Sequence, residues 1–293
     1  MNFKYIITAL FIFSLSLLTS KSINASIYEG FDMIAKKNTP LGKAGTFSGE
    51  SSNGWLSAWH TGNGKPVFSS ENIEFKGLKS VGGSLKVLAE RKTNHIGKGY
   101  ALRQTENTYL DTVYGSFRVK PGHLTSDSIF GLLFTLPGTQ EVNLRNALFS
   151  LCPKRFGSDL GVVGVGKKTF RMPVGAPCEK GLPYLVIWKM TNLPKAGELG
   201  GVSVSMWVLN EEQTEYFTTV GEFNERYLNL AETGSSKDQV SQFGRMNVKE
   251  TKHSLYKGIL ITPFNYNITN VVFDEIRLSS ASLKDAIGAS TIK

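Results

Sequence analysis

From Ser26 onward, apolar residues recur at every second position in short bursts, separated by clusters of Gly, Asn, Pro and Ser. That is the period of an extended chain whose side chains alternate between two faces, punctuated by turns. The bursts "IYEGFDM", "NIEFKG", "SLKVLAE", "YALRQT", "VYGSFRVKP", "IFGLLFTLP", "NALFSLC", "LGVVGVG", "YLVIWKMT", "VSVSMWVLN", "TEYFTTV", "KGILITPF" and "NVVFDEIRL" are the predicted strands. Helical spacing is scarce: "NERYLNLAE" is one candidate, and "SASLKDAI" reads as one closing turn capped by Ser280 or Ser282. In "VSVSMWVLN", Val202, Val204, Met206 and Val208 share a core face, while Ser203, Ser205, Trp207 and Leu209 share a face expected to be half open. Many antiparallel strands without repeats, linkers or low-complexity breaks predict an all-β sandwich of two sheets, one domain over residues 26–293.

The first 25 residues have a different pattern. One early lysine, an apolar run from Ile6 to Leu18, and a polar stretch ending in Ala25 read as a signal peptide cut after Ala25. The run falls short of the roughly 20 residues a spanning helix needs. The expectation is a mature chain that is secreted or periplasmic, with no stable membrane insertion. A 293-residue chain that is 41% hydrophobic and 19% charged can bury a full core and is not a disordered polyelectrolyte.

The formal charge of +9 falls to +7 when the leader takes Lys4 and Lys21 with it. For an exported protein that surplus points to acidic polysaccharide or another anionic surface rather than nucleic acid. Outside the cytoplasm, Cys152 and Cys178 read as a disulfide closing a loop of about 25 residues, worth ~3 kcal/mol. Four scattered histidines and no CxxC spacing argue against zinc; no cofactor is assigned, and structural calcium is left open.

The segments "IYEGFD", "GWLSAW", "GLKSVGGSL", "YGSFRVK", "SMWVLN" and "FDEIRLSSASLKDAI" occur in an order that resembles exported bacterial proteins of the concanavalin A-like lectin/glucanase superfamily, especially laminin-G-like jelly rolls. The resemblance spans nearly the whole mature chain. It implies a jelly roll of two stacked, curved antiparallel sheets, used for glycan binding and sometimes for glycan cleavage. One departure is local: the family's "W-V-N-P" strand end reads "WVLNEE" here, so the turn after Asn210 is expected to differ.

Two carboxylates stand side by side in the last strand, Asp274 and Glu275. Glycoside hydrolysis needs two carboxyls facing one cleft, roughly 5 to 9.5 Å apart. Adjacent residues of an ordinary strand face opposite ways. The Glu-x-Asp-x-x-Glu pattern of the superfamily's glucanases is also absent, so Asp274, Glu275 and Arg277 are read as structural. Alternation puts Val272, Asp274, Ile276 and Leu278 on the core face, with Asp274 held by backbone amides of a neighbouring turn. It puts Phe273, Glu275, Arg277 and Ser279 outside, with Glu275–Arg277 as an exposed pair worth ~0 to 1 kcal/mol.

Sugar rings stack on exposed aromatic rings, so the tryptophans are the candidates for that role. Trp188 reads as core, Trp55 and Trp59 as packing residues, and Trp207, beside Ser203 and Ser205, as the stacking candidate. Residues 76–103 hold Lys76, Lys79, Lys86, Arg91, Lys92, Lys98 and Arg103 against Glu90 alone, with His95 among them. Such a stretch suits uronate or sulfate groups. The reading is therefore an exported carbohydrate-binding protein using Trp207, Arg91, Arg103 and His95, with no catalysis assigned. The alternatives are a polysaccharide lyase, for which Arg103, Gln104, His95 and Tyr100 are suitable residue types, and a structural or adhesive surface protein.

Overall fold

The computed structural model describes residues 26–31, 60–61, 67–87, 101–104, 112–122, 130–135, 159–163, 171–177, 180–191, 200–219, 243–251, 258–263 and 271–288. The leader, Cys152, Cys178, Arg91, His95, Tyr100, Trp55, Trp59 and the segments "NALFSLC" and "NERYLNLAE" lie outside them. Within them the chain forms antiparallel strands: β1 (Ser26–Glu29), β2 (His60–Thr61), β3 (Val67–Ser69), β4 (Ser84–Val87), β5 (Ala101–Gln104), β6 (Thr112–Lys120) and β7 (Phe130–Thr135). There follow β8 (Asp159–Val163), β9 (Arg171–Pro177), β10 (Tyr184–Thr191), β11 (Gly200–Leu209), β12 (Phe243–Thr251), β13 (Gly258–Pro263) and β14 (Val271–Ser279). Of these, β2, β3, β9 and β12 lie outside the predicted bursts. Two helices join them, α1 (Glu211–Thr219) and α2 (Leu283–Ile287).

The strands form an eight-stranded sheet in the order β12-β11-β10-β6-β14-β4-β3, with β1 also on β14. A four-stranded sheet runs β2-β5-β13-β7, and β8 and β9 form a ribbon. One side of β14 is shared: β4 pairs with Val271–Phe273 and β1 with Ile276–Ser279. No helix of the described residues is long and apolar enough to cross a membrane.

The central strands of the eight-stranded sheet are buried on both faces. The first face carries Val113, Phe117 and Val119 of β6, Val186, Trp188 and Met190 of β10, and Phe273 of β14. Phe117 packs its ring 5.9 Å from that of Trp188 and 6.0 Å from that of Phe273. Gly115 lies opposite Trp188 in the ladder, and a Cβ there would sit 2.0 Å from the indole Cζ2, so the ring fills the place a side chain would take.

The second face carries Tyr114, Leu185, Ile187, Trp207, Leu209 and Val272. Segment 71–83 covers it with Ile73, Phe75 and Leu78, α1 adds Phe217, and α2 adds Leu283, Ala286 and Ile287. At about 1.5 to 3 kcal/mol per large apolar side chain, this cover is a major part of the core.

Two expected strands are not strands. "NIEFKG" is irregular backbone inside the cover, and "TEYFTTV" falls mostly within α1, the helix that follows Asn210. The helix starts because Asn210 and Gln213 cap each other: Gln213 N donates to Asn210 Oδ1 and Asn210 N to Gln213 Oε1, both at 2.9 Å. Glu211 and Glu212 then sit at the positive end of the helix. The closing turn is α2, with Ser282 as its N-cap and Gly288 in the left-handed region at φ 65 as its C-cap.

Candidate functional site

The ladder between β6 and β14 breaks at the two carboxylates. Asp274 pairs with Arg118 and Arg277 with Ser116, so Glu275 and Ile276 together oppose the single residue Phe117. Glu275 adopts φ 49, the left-handed region that non-glycine residues rarely enter. This is a β-bulge, and its extra residue reverses the alternation beyond it. Asp274 and Arg277, three positions apart, therefore share the second face of the sheet, and the expected split of this strand into an inner and an outer row is corrected. The Glu275 side chain joins that face too, since it bonds to Tyr28, which pairs opposite Arg277.

The result is a charged cluster beneath segment 71–83. Asp274 is 0% exposed; its Oδ2 accepts from Ile73 N at 2.8 Å and its Oδ1 from Glu275 N at 2.7 Å. Glu275 is 1% exposed; its Oε1 accepts from Val81 N at 2.7 Å and from the Tyr28 hydroxyl at 3.0 Å, and its Oε2 from Arg277 Nη2 at 2.5 Å. Arg118, also buried, donates from Nη1 to Ile73 O at 2.7 Å and from Nη2 to Lys79 O at 2.6 Å. The Arg277 guanidinium lies 4.0 Å from the Tyr28 ring centroid. The Glu275–Arg277 pair does form, but it is interior, with side chains 1% and 12% exposed, which corrects its expected surface position.

Burial sets the electrostatics. Loss of water pushes the Asp274 carboxyl up to about 7; the Ile73 amide opposes this, Glu275 adds to it, and Arg118 and the Glu275 amide also oppose. Burial, with the Glu275 charge second, raises the Tyr28 hydroxyl above its ordinary range. Burial likewise lowers the Arg118 guanidinium, against the pull of Glu275 and Asp274. The bulge brings both acids to one face, yet their oxygens are engaged by the backbone of segment 71–83, by Tyr28 and by Arg277. They fasten the cover to the sheet and are closed to a glycosidic bond.

Of the other predicted site residues, Arg91 and His95 lie outside the described residues, while Trp207 and Arg103 fall on different sheets. Trp207 is 1% exposed, sealed in the core cluster with Phe75, Leu78 and Phe217, which removes the open ring that stacking needs. The covering segment lies far away in sequence, so alternation alone could not place it there. Arg103 lies in β5 of the four-stranded sheet, in register with Ile259, on a different sheet from Trp207. Lys76 and Lys79 project from segment 71–83, and Lys76 is paired with Glu215 of α1. The basic stretch is thus divided between elements.

Arg118 and Tyr28 were missed as partners of the two acids. The signal for Arg118 is a charge within the otherwise apolar and small "VYGSFRV", on the same parity as Tyr114 and Ser116. Tyr28 precedes Gly30, where a Cβ would stand 2.2 Å from the Tyr28 hydroxyl.

No protein-family profile matches the chain, and no curated protein matches its sequence. Among solved structures it is similar to the marine PL-14 alginate lyase from Aplysia kurodai, with TM-score 0.46 and 11% identity over 73% of this chain and 86% of that one. It is also similar to domain 4 of AbnA, an extracellular arabinanase from Geobacillus stearothermophilus, with TM-score 0.43 and 11% identity over 89% and 97% of the two chains. A third is the alginate lyase Aly36B, with TM-score 0.44 and 10% identity over 87% and 96%. At these TM-scores the likenesses carry no argument about activity.

Proposed function

We propose that the protein is an exported, single-domain jelly roll that binds carbohydrate, with acidic polysaccharide as its ligand class. The ligand surface belongs to the four-stranded sheet. The observation behind this placement is that the central strands of the eight-stranded sheet are filled on both faces, by Trp188 at 0% exposure on one and Trp207 at 1% on the other. The four-stranded sheet includes β5 and therefore Arg103, a residue type that binds carboxylates and sulfates in a bidentate fork. The order of the sequence motifs, the +7 charge left after the leader and the antiparallel sheets support the same reading. Export, a Cys152–Cys178 disulfide and secretion or periplasmic residence belong to it as well.

Affinity electrophoresis of residues 26–293 through gels containing alginate, pectate or a glycosaminoglycan, at low and high salt, tests the reading. Retardation that fades as salt screens the charges is expected, and Arg103→Ala should weaken it several-fold. Equal mobility with and without every glycan at low salt would sink the proposal. A lyase is the second reading, resting on Arg103, a residue type able to neutralise a uronate, which β5 places in the four-stranded sheet. The appearance of unsaturated sugar products in the same mixtures would put it first.

A further inference from the structure

The charged cluster suggests a role that does not depend on glycan binding. We propose that segment 71–83 is a cover whose closure over the second face of the eight-stranded sheet is coupled to protonation of the cluster at the β14 bulge, tight in acid and opening more often as pH rises to neutrality.

The geometry carries this. The cover has almost no ladder of its own, being irregular apart from a single bridge at Leu78. Four of its backbone groups are held by charged side chains instead: Ile73 N by Asp274, Ile73 O and Lys79 O by Arg118, and Val81 N by Glu275. Further bonds tie it to neighbours, among them Lys79 N to Gly288 O, Gly83 N to Phe31 O, Thr218 Oγ1 to Lys76 O, and the side-chain pairs Lys76–Glu215 and Glu71–Lys120. Lifting it detaches a few apolar anchors and these bonds while the ladders beneath stay intact. That defines a local opening below the global one.

Asp274 responds to such an opening because the cover is what keeps water from it. The charged and titratable groups around it are Glu275 and Arg277 on its own strand, Arg118 from β6 and Tyr28 from β1. Lys86 of β4 and Lys120 of β6 stand in register with Val272 on the same face, Lys120 pairing with Glu71 of the cover, whose Glu74 is exposed. The cover itself offers Asp274 a backbone amide, and its Lys76 and Lys79 are exposed.

With the cover closed, the Asp274 carboxyl titrates at about 7; once water reaches it, the group returns towards its ordinary 3.8. Between those limits the closed form holds a proton that the open form releases. Each pH unit upward therefore raises the open fraction by up to ~10-fold, levelling off above about pH 7.

Amide hydrogen exchange on the mature chain between about pH 5 and pH 9, corrected for intrinsic rates, reads this directly. The amides of Ile73 and Val81 should exchange together, faster than those of β10. Their protection should fall by roughly an order of magnitude per unit up to about pH 7 and then stay flat. In Asp274→Asn the slope should vanish at both amides, including Val81, which bonds to Glu275. Protection that ignores pH, exchange of Ile73 and Val81 only at the β10 rate, or an unchanged slope in Asp274→Asn would each overturn the proposal. If that variant does not fold, trypsin cleavage after Lys76 and Lys79 of the unaltered chain decides. Normalised to an unstructured peptide, it should accelerate from about pH 6 to pH 7.5, and a constant ratio would overturn the idea.

Discussion

Replacing Glu275 with glutamine exchanges one oxygen for an amide at constant length and leaves the φ 49 backbone as it is, so it isolates the charge at the bulge. If the remaining oxygen keeps Val81 N and the Tyr28 hydroxyl, the new NH2 faces Arg277 Nη2, which now sits 2.5 Å from Oε2. Two donors then oppose each other. Arg277, 12% exposed and with its Nε already lacking a partner among the described residues, becomes a largely buried cation without its anion. Breaking a buried pair from one side costs ~3 to 5 kcal/mol. The flipped amide relieves Arg277 and orphans Val81 N and Tyr28 instead, at ~1 to 3 kcal/mol for each unsatisfied donor.

Either way the loss should be about 3 kcal/mol. Arg277→Met, which strands Glu275, should cost a similar amount, while the double variant buries no lone charge and should cost less than the sum by about 2 kcal/mol. Urea unfolding of the four proteins at neutral pH, with constant m-values, measures that cycle. Repeating it in high salt should leave the coupling almost unchanged, because an interior pair is poorly screened. A Glu275→Gln loss under about 0.5 kcal/mol with additive double-variant behaviour would refute the reasoning, since that is how an exposed pair behaves.

Three further outcomes are expected. Because Asp274 titrates near 7 in the fold and at an ordinary 3.8 when unfolded, the folded chain binds the extra proton between those values. Its contribution therefore falls as pH rises from about 4 to 7, by up to ~4 kcal/mol, and urea midpoints across that range should show a flatter profile for Asp274→Asn. Gly115→Ala sets a Cβ 2.0 Å from a fully buried indole and should destabilise by ~3 kcal/mol or more in thermal unfolding, with Trp188→Phe recovering part of the loss in the double variant. Asn210→Ala removes the Oδ1 that accepts from Gln213 N, the side-chain half of the reciprocal cap on α1, and should cost ~1 kcal/mol by urea unfolding.

The strands were legible because alternation reports directly on a pleated sheet: Ile187 opposite Trp207 and Trp188 opposite Met206 continue the parity seen in their own sequences. So was the oddness of Asp274, an acid inside Val-Val-Phe that had to find donors. The bulge was not, because a period-two pattern carries no mark of one inserted residue, and a glutamate gives no hint of the left-handed backbone it occupies. Trp207 looked half open because its neighbours Ser203 and Ser205 are polar, whereas what buries it includes Phe75 and Leu78, more than a hundred positions upstream in a stretch that itself reads as extended. For α1, the Thr, Tyr and Phe of "TEYFTT" favour strand by propensity, and the competing signal, Asn210-x-x-Gln213 followed by buried Thr214, Phe217 and Thr218, lay in the cap and the helical spacing. The described members of the basic run from Lys76 to Arg103 fall on three elements, segment 71–83, β4 and β5, because nearness along a chain of strands does not mean nearness on one sheet.

The four-residue strand β1 has a practical corollary for anyone producing this protein. Ser26–Glu29 pairs with β14 and delivers the phenol that Glu275 accepts. A recombinant version beginning only a few residues later would lose that phenol and leave the amides and carbonyls of Ile276–Ser279 bare along one side. A bare margin of that kind is a template for strands from other molecules, so such a preparation should gather into oligomers or precipitate even though every larger ladder is intact.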